Sequence, residues 1–178
     1  MHPLDNEALK QGAKAARRRR LDAENRQDFV SLLVRLVVIA VCAWVLFTQV
    51  FMLTQAKGSS MFPAVKDGDL LICYRLQKTY AKNDVVVYTQ GGKRRVGRIL
   101  GREGDLIALD DSGTLVVNGA VQSGEILYPT YAKDTLTYPY TVPEGCVFVL
   151  GDYRTETGDS RSYEAIPIEK IKGKVLTI

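Results

Sequence analysis

Four short segments concentrate the residues that can act on a substrate: Gly58-Ser59-Ser60-Met61-Phe62-Pro63, Asn83-Asp84-Val85-Val86-Val87-Tyr88, Arg98-Ile99-Leu100-Gly101-Arg102-Glu103-Gly104-Asp105, and Gly151-Asp152-Tyr153-Arg154-Thr155-Glu156-Thr157-Gly158-Asp159-Ser160-Arg161. They hold hydroxyls, carboxylates and guanidinium groups. A serine attacks a carbonyl only when a neighbouring base takes its proton. Histidine usually fills that role, but the chain has one histidine, His2, beside the chain end. Ser-His-Asp and Cys-His catalysis are thereby excluded, and so are two-histidine zinc sites. A base acting on Ser60 has to be something else. Neither metal nor cofactor is called for by any of the four segments.

The elements that must position these residues are short. Apolar or β-branched runs lie at 70–74, 85–88, 96–100, 106–109, 115–117 and 147–150, separated by Gly, Asp, Asn and Pro, which predicts strands joined by turns. Asn118-Gly119 predicts a two-residue type I′ hairpin into a strand at 120–122. Asp110-Asp111-Ser112-Gly113 predicts another turn. Only 168–172 shows any helical periodicity beyond the first third of the chain, and 126–141, rich in Tyr, Thr and Pro, predicts a looser stretch. The fold class expected is mostly β.

That β domain follows a different kind of segment. Residues 36–53 are 18 residues without a charge, about 27 Å as a helix and close to the thickness of a bilayer core. A buried core helix of this size usually keeps a polar face. A cleaved leader has a shorter apolar run with less chain before it. The span therefore predicts a retained membrane anchor over 31–53, with a basic tail at 1–30 and a working domain at 54–178. The tail holds seven positive and five negative residues, and the stretch 10–20 has six of the positives and no acid. By the positive-inside rule it stays cytoplasmic, and the domain lies outside. That domain carries sixteen Lys and Arg against fifteen Asp and Glu, so there is no electrostatic case for nucleic acid. Cys42 falls in the span. Cys73 and Cys146 sit in apolar strand-like runs, where a disulfide and two buried thiols are both open.

In order and spacing the four segments resemble type I signal peptidases, the membrane-anchored serine–lysine leader peptidases. Val117-Asn118-Gly119, Val142-Pro143-Glu144-Gly145 and Ile166-Pro167 match as well, so the resemblance covers essentially all of 54–178. It implies an antiparallel β domain and signal peptides of exported preproteins as substrates. It also implies Ser60 as nucleophile, with its N–H in the oxyanion hole. Met61 would pack beneath it and Pro63 would fix the turn. Asp159 and Arg161 would brace the site, with Arg98, Gly151, Asp152, Arg154 and Ser160 supporting it. Thr157 falls where a hydroxyl often orients the lysine.

The lysine is where the chain departs. The family's Lys-Arg-x-x-Gly-x-x-Gly-Asp motif places Gly97 at the base, and glycine carries no side chain. Lys93 is four residues earlier, about 13 Å along a strand. Tyr153 and Glu156 stand where Asn is common, and Glu164 where Gly is frequent. Two readings follow. One is an active peptidase using Ser60 and a different base, such as Lys93. The other is a catalytically impaired relative that binds or assembles at the outer membrane face, with pilin or sortase machinery as its expected partner.

Overall fold

In a computed structural model of the protein, the described residues are 3–122, 128–156 and 158–177. His2 and Thr157 lie outside them. The chain divides into two compact units, Met1–Leu46 and Phe47–Ile178.

Helix α1 runs over Pro3–Val50. Its segment Arg26–Val50, 25 residues, is long and apolar enough to cross a membrane, and none of it is buried by protein. Leu, Val, Ile and Phe side chains are exposed all round it, with Trp44 at 67% and Phe47 at 72%. Such a surface is stable only in lipid, and the protein is membrane-anchored.

The sequence places residues 51–53 at the end of the anchor; the helix instead stops at Val50. Phe51–Gln55 forms strand β1, paired antiparallel with β2, Leu70–Tyr74. Phe51-Met52-Leu53 is apolar enough for either state. The strand wins because it satisfies its backbone groups on β2 and packs Met52 against buried residues.

The remaining strands are β3 Val85–Gln90, β4 Lys93–Arg102, β5 Leu106–Leu109, β6 Leu115–Val117, β7 Ala120–Val121, β8 Tyr140–Thr141, β9 Cys146–Leu150, β10 Ile166–Pro167 and β11 Ile171–Val175. One helical turn, α2, covers Ser160–Tyr163. Seven strands make one sheet in the order β1-β2-β11-β3-β4-β9-β10, and four make a second in the order β7-β6-β5-β8. Every pairing is antiparallel. The helical periodicity at 168–172 resolves into a 3-10 turn, Ile168–Lys170, followed by β11. Ile171, Gly173 and Val175 alternate to the buried face there, which is a strand's period.

The unbroken apolar run of β3 is explained by burial on both faces. Val85 and Val87 enter a cluster with Met61, Leu71 and Cys73. Val86 and Tyr88 enter another with Ile99, Val147 and Val149. Phe148 and Leu150 of β9 point the other way, into a third cluster with Ile107, Leu115 and Val117 of the second sheet. Asn118 and Gly119 both have positive φ, 52° and 80°, as a type I′ turn requires. Cys73 and Cys146 are free thiols in different clusters. Burial pushes the Cys73 thiol up to about 11.

Candidate active site

Ser60 sits in the loop between β1 and β2. The loop is closed by Ala56 N–H donating to Asp69 O (2.8 Å) and Gly68 N–H to Ala56 O (3.0 Å). Within it Phe62 N–H donates to Ser59 O (2.9 Å) and Val65 N–H to Met61 O (2.8 Å), a tight turn that continues through Pro63. Met61 is only 2% exposed and lies in the core cluster of β2 and β3, which pins the turn from below. Ser60 is left half-buried, and its hydroxyl donates to Val96 O on β4 at 3.4 Å. Its N–H donates to no backbone carbonyl among the described residues.

A second loop grips Ser60 from its carbonyl side. Tyr153 N–H donates to Ser60 O at 3.0 Å. Gly151 packs so closely on that oxygen that a Cβ would collide with it, so this position accepts only glycine. Behind the loop is a buried pair. Arg161 donates to Asp159 through Nη2 (2.7 Å) and Nε (3.0 Å), and both side chains are almost fully buried. Asp159 also caps α2 by accepting from Arg161 N–H at 3.1 Å, and it takes Gly151 N–H at 3.4 Å. Ser160, fully buried, accepts from Val149 N–H at 2.9 Å. Arg154, 2% exposed, donates to Gly151 O (2.7 Å) and Thr130 Oγ1 (2.6 Å). Burial, with the Arg161 charge nearby, pulls the Arg154 guanidinium down to about 10. Arg98 on β4 grips Asp152 with both arms, at 2.8 and 2.7 Å. These residues together fix 151–156 and 158–161 against Ser60.

Gly97 lies on β4 opposite Val86. Its missing side chain is not an open slot. An ideal Cβ there would be 2.5 Å from Val149 Cγ1, 3.2 Å from Leu150 O and 3.3 Å from Tyr88 Cε1. Val149 and Tyr88 are buried, and the Tyr88 hydroxyl donates to Gly158 O at 3.3 Å. Burial holds the Tyr88 phenol well above the ordinary tyrosine value. The neighbours of Gly97 have closed over the place where a lysine stem would begin.

Lys93 opens β4 and pairs with Gln90 across a Gly91-Gly92 turn. It stands three residues before Val96, about 10 Å along the strand. Among the described residues Val96 O is the one hydrogen-bond partner of the Ser60 hydroxyl. Lys93 nevertheless lines the same cleft as Ser60, a depression of about 950 Å³ whose wall also includes Thr54, Gln55, Lys57, Arg94, Arg95, Glu156 and Gly158.

Three features of this cleft escape sequence reasoning. Glu156 accepts the Ser59 hydroxyl at 2.5 Å, so the extra charge is engaged with the residue beside Ser60. Arg95 stacks on Tyr163 (5.3 Å to the ring centroid) and donates to its hydroxyl at 3.2 Å. β1 contributes Thr54 and Gln55, which belong to the strand that the anchor reading absorbed. The cationic run Lys93-Arg94-Arg95 was the available signal for the second of these.

Several known proteins resemble this chain. The family pattern described as "Signal peptidase, peptidase S26" matches residues 28–178. Signal peptidase I of Bacillus caldolyticus is 35% identical over 135 residues, 67% of this chain and 74% of that protein. Thylakoidal processing peptidase 1 of Arabidopsis thaliana is 30% identical over 136 residues, 66% of this chain, and the match spans only 38% of that longer protein. A crystal structure of a signal peptidase I from Enterococcus faecalis V583 aligns with TM-score 0.47 and 28% identity, over 56% of this chain and 97% of that one.

Proposed function

Because the chain belongs to the peptidase S26 family of signal peptidases, we propose that it is a membrane-bound serine endopeptidase that removes signal peptides from exported preproteins, with Ser60 as nucleophile. The observation that carries this reading is the placement of Ser60. Its hydroxyl is on the wall of an open cleft while its backbone is gripped on both sides, by Met61 below and by Gly151 and Tyr153 at its carbonyl. Ser60 Oγ attacks the scissile carbonyl carbon, and the spare Ser60 N–H donates to the oxyanion that forms. The proton leaves Ser60 for Lys93 through an intervening water, since the two share the cleft wall without direct contact; a lysine accepts it only as the free amine. The tetrahedral adduct collapses by breaking the scissile C–N bond, the leaving amine takes the proton from Lys93, and water then hydrolyses the acyl ester to release the signal peptide's carboxylate and restore Ser60.

Purified full-length protein in detergent is expected to cleave a preprotein before its mature domain. Ser60→Ala is expected to abolish cleavage and Lys93→Met to reduce it at least about a hundredfold, as loss of a general base does. Unchanged cleavage by Ser60→Ala ends the proposal.

Gly97 favours a second reading, a relative that keeps the peptide cleft and has lost the chemistry. Wild-type protein that binds the preprotein and never cleaves it selects this reading. The relatives named above are processing peptidases, and nothing in them ties the chain to pilin or sortase machinery.

The basic stretch at 10–20 supports a cell-membrane orientation with the amino terminus cytoplasmic and Phe47–Ile178 outside. A membrane-impermeant protease added to intact cells is expected to remove the β domain. Its protection there would reverse the topology.

A further inference from the structure

Glu156 joins the loop that carries Ser60 to the loop that grips it. The Ser59 hydroxyl donates to Glu156 Oε1 at 2.5 Å. Glu156 is itself tied down: its N–H donates to Tyr153 O at 3.1 Å, and its carbonyl accepts Arg161 Nη2 at 2.7 Å. Tyr153 N–H in turn donates to Ser60 O at 3.0 Å. Ser59, Ser60, Tyr153 and Glu156 thus close a ring of bonds, backed by the buried Arg161–Asp159 pair. The chain after Ser60 is pinned by Met61 in the core. The chain before it has no such packing. Ser59 is exposed, and Gly58 has φ +84° with nothing within 4 Å of where a Cβ would be. Gly58 N–H is held by Asp67 Oδ1 at 2.7 Å and Ser59 O accepts Phe62 N–H at 2.9 Å. Among the described residues the Ser59 side chain has Glu156 as its one hydrogen-bond partner. In a planar trans peptide the carbonyl and the following N–H point in opposite directions, so whatever holds Ser59 also aims Ser60 N–H.

We infer that Glu156 is a positioning residue for Ser60: through the Ser59 hydroxyl, its carboxylate fixes the peptide unit whose N–H meets the oxyanion. This rests on the reading above that Ser60 is the nucleophile and its N–H the oxyanion donor. Such a donor works by already pointing at the place where charge develops, so that nothing has to turn during the reaction. A hydrogen bond to an ionised acceptor is shorter and about twice as strong as a neutral one, which suits a residue held by no core contact. Glu156 also lines the cleft, but it acts on Ser60 through Ser59 and touches none of the reacting atoms.

The test uses full-length protein in detergent, as wild type, Glu156→Leu, Glu156→Gln, Ser59→Ala and Ser59→Ala/Glu156→Leu, with steady-state cleavage of a preprotein. Glu156→Leu and Ser59→Ala are each expected to lower kcat by about tenfold to a hundredfold, as a misplaced catalytic group does. KM is expected to stay within a factor of about two, because the peptide itself loses no contact. Glu156→Gln keeps a neutral acceptor at the same reach and is expected to fall within about threefold of wild type. The double variant is expected to be no slower than the worse single one, since both remove the same bond. Wild-type kcat in Glu156→Leu overturns the inference, and so does Glu156→Gln as slow as Glu156→Leu. A raised KM with kcat unchanged overturns it too, since Glu156 then meets the peptide directly. Ser59→Ala guards against loss of the fold, because it deletes one exposed oxygen. Amide hydrogen exchange gives a readout that needs no cleavage. Phe62 and Val65, whose N–H groups are bonded within the turn, are expected to exchange about tenfold faster in Ser59→Ala and Glu156→Leu. Unchanged exchange at both amides also overturns the inference. If wild-type protein cleaves nothing while both variants loosen these amides, the processing reading has failed and the hold of Glu156 on Ser60 stands.

Discussion

The two sides of Ser60 treat charge in opposite ways. Behind it, Asp159 and Arg161 are buried and joined by three side-chain bonds, and Arg154 is sealed against Gly151 and Thr130. In front, Lys57, Arg94 and Arg95 line an open cleft with no carboxylate within ion-pair distance among the described residues. The buried side places a backbone: it holds 151–156 where Gly151 and Tyr153 meet the Ser60 carbonyl. The open side meets whatever enters. Stability should therefore reside almost wholly in the first and selectivity in the second. Asp159→Ala breaks the comparison most severely. It strands a buried guanidinium, which costs about 3–5 kcal/mol, read from the urea midpoint of the detergent-solubilised protein. Arg94→Gln, on the open side, is expected to change that midpoint by less than about 0.5 kcal/mol. Similar losses from both would erase the distinction.

Gly97 tests the boundary between the two sides. A glycine-to-alanine change inside a strand would ordinarily gain about 0.4–1 kcal/mol by restricting the unfolded chain. Here the new methyl meets Val149 Cγ1 at 2.5 Å and a backbone oxygen, Leu150 O, at 3.2 Å. Overpacking of this kind costs about 1–3 kcal/mol, so Gly97→Ala is expected to destabilise. Adding Val149→Ala should recover part of the loss, making the double variant more stable than the two single changes sum to. Gly97→Lys is expected to fail to raise cleavage, because its stem starts in the same occupied space. A Gly97→Ala protein as stable as wild type would show that the space is open and a lysine could be restored.

What the sequence made legible follows from which interactions are local. The strands at 70–74, 106–109 and 115–117 coincide with β2, β5 and β6 because each is a β-branched or apolar run cut by turn residues. The Asn118-Gly119 turn is encoded by the positive φ both residues tolerate. β4 begins at Lys93, ahead of the apolar run at 96–100, because Lys93, Arg94 and Arg95 pair with Gln90, Thr89 and Tyr88; polar residues on a long hairpin leave no hydrophobic signature. β1 hid inside the anchor's apolar run, where helix and strand read alike. At the site, the family motif brought Ser60, Arg98, Asp159 and Arg161 to attention. The closure over Gly97 did not show, since it depends on Val149 and Tyr88 arriving from two other strands. Nor did the Ser59–Glu156 bond, which joins residues 97 apart.

The smallest effect sharpens the comparison from within the buried side. The Tyr138 hydroxyl is buried with no hydrogen-bond partner among the described residues. Burial, modified by the charges of Arg161 and Asp159, pushes its phenol up to about 12 from 10. Between those values the folded protein keeps a proton that the unfolded chain has lost. This contribution to stability is complete below pH 10 and disappears as pH rises to about 12, following the linkage of proton binding to folding. Tyr138→Phe removes a dry, unsatisfied hydroxyl, so at neutral pH it is expected to leave stability unchanged or raise it by up to about 1 kcal/mol. It is also expected to flatten the alkaline fall in the unfolding midpoint. The fall that remains belongs to the other groups that burial shifts in the same direction, Tyr88, Tyr80, Tyr140, Cys73 and Cys146. A clear loss of stability in Tyr138→Phe at neutral pH would mean the hydroxyl has a partner, and that the buried side is more completely satisfied than its geometry indicates.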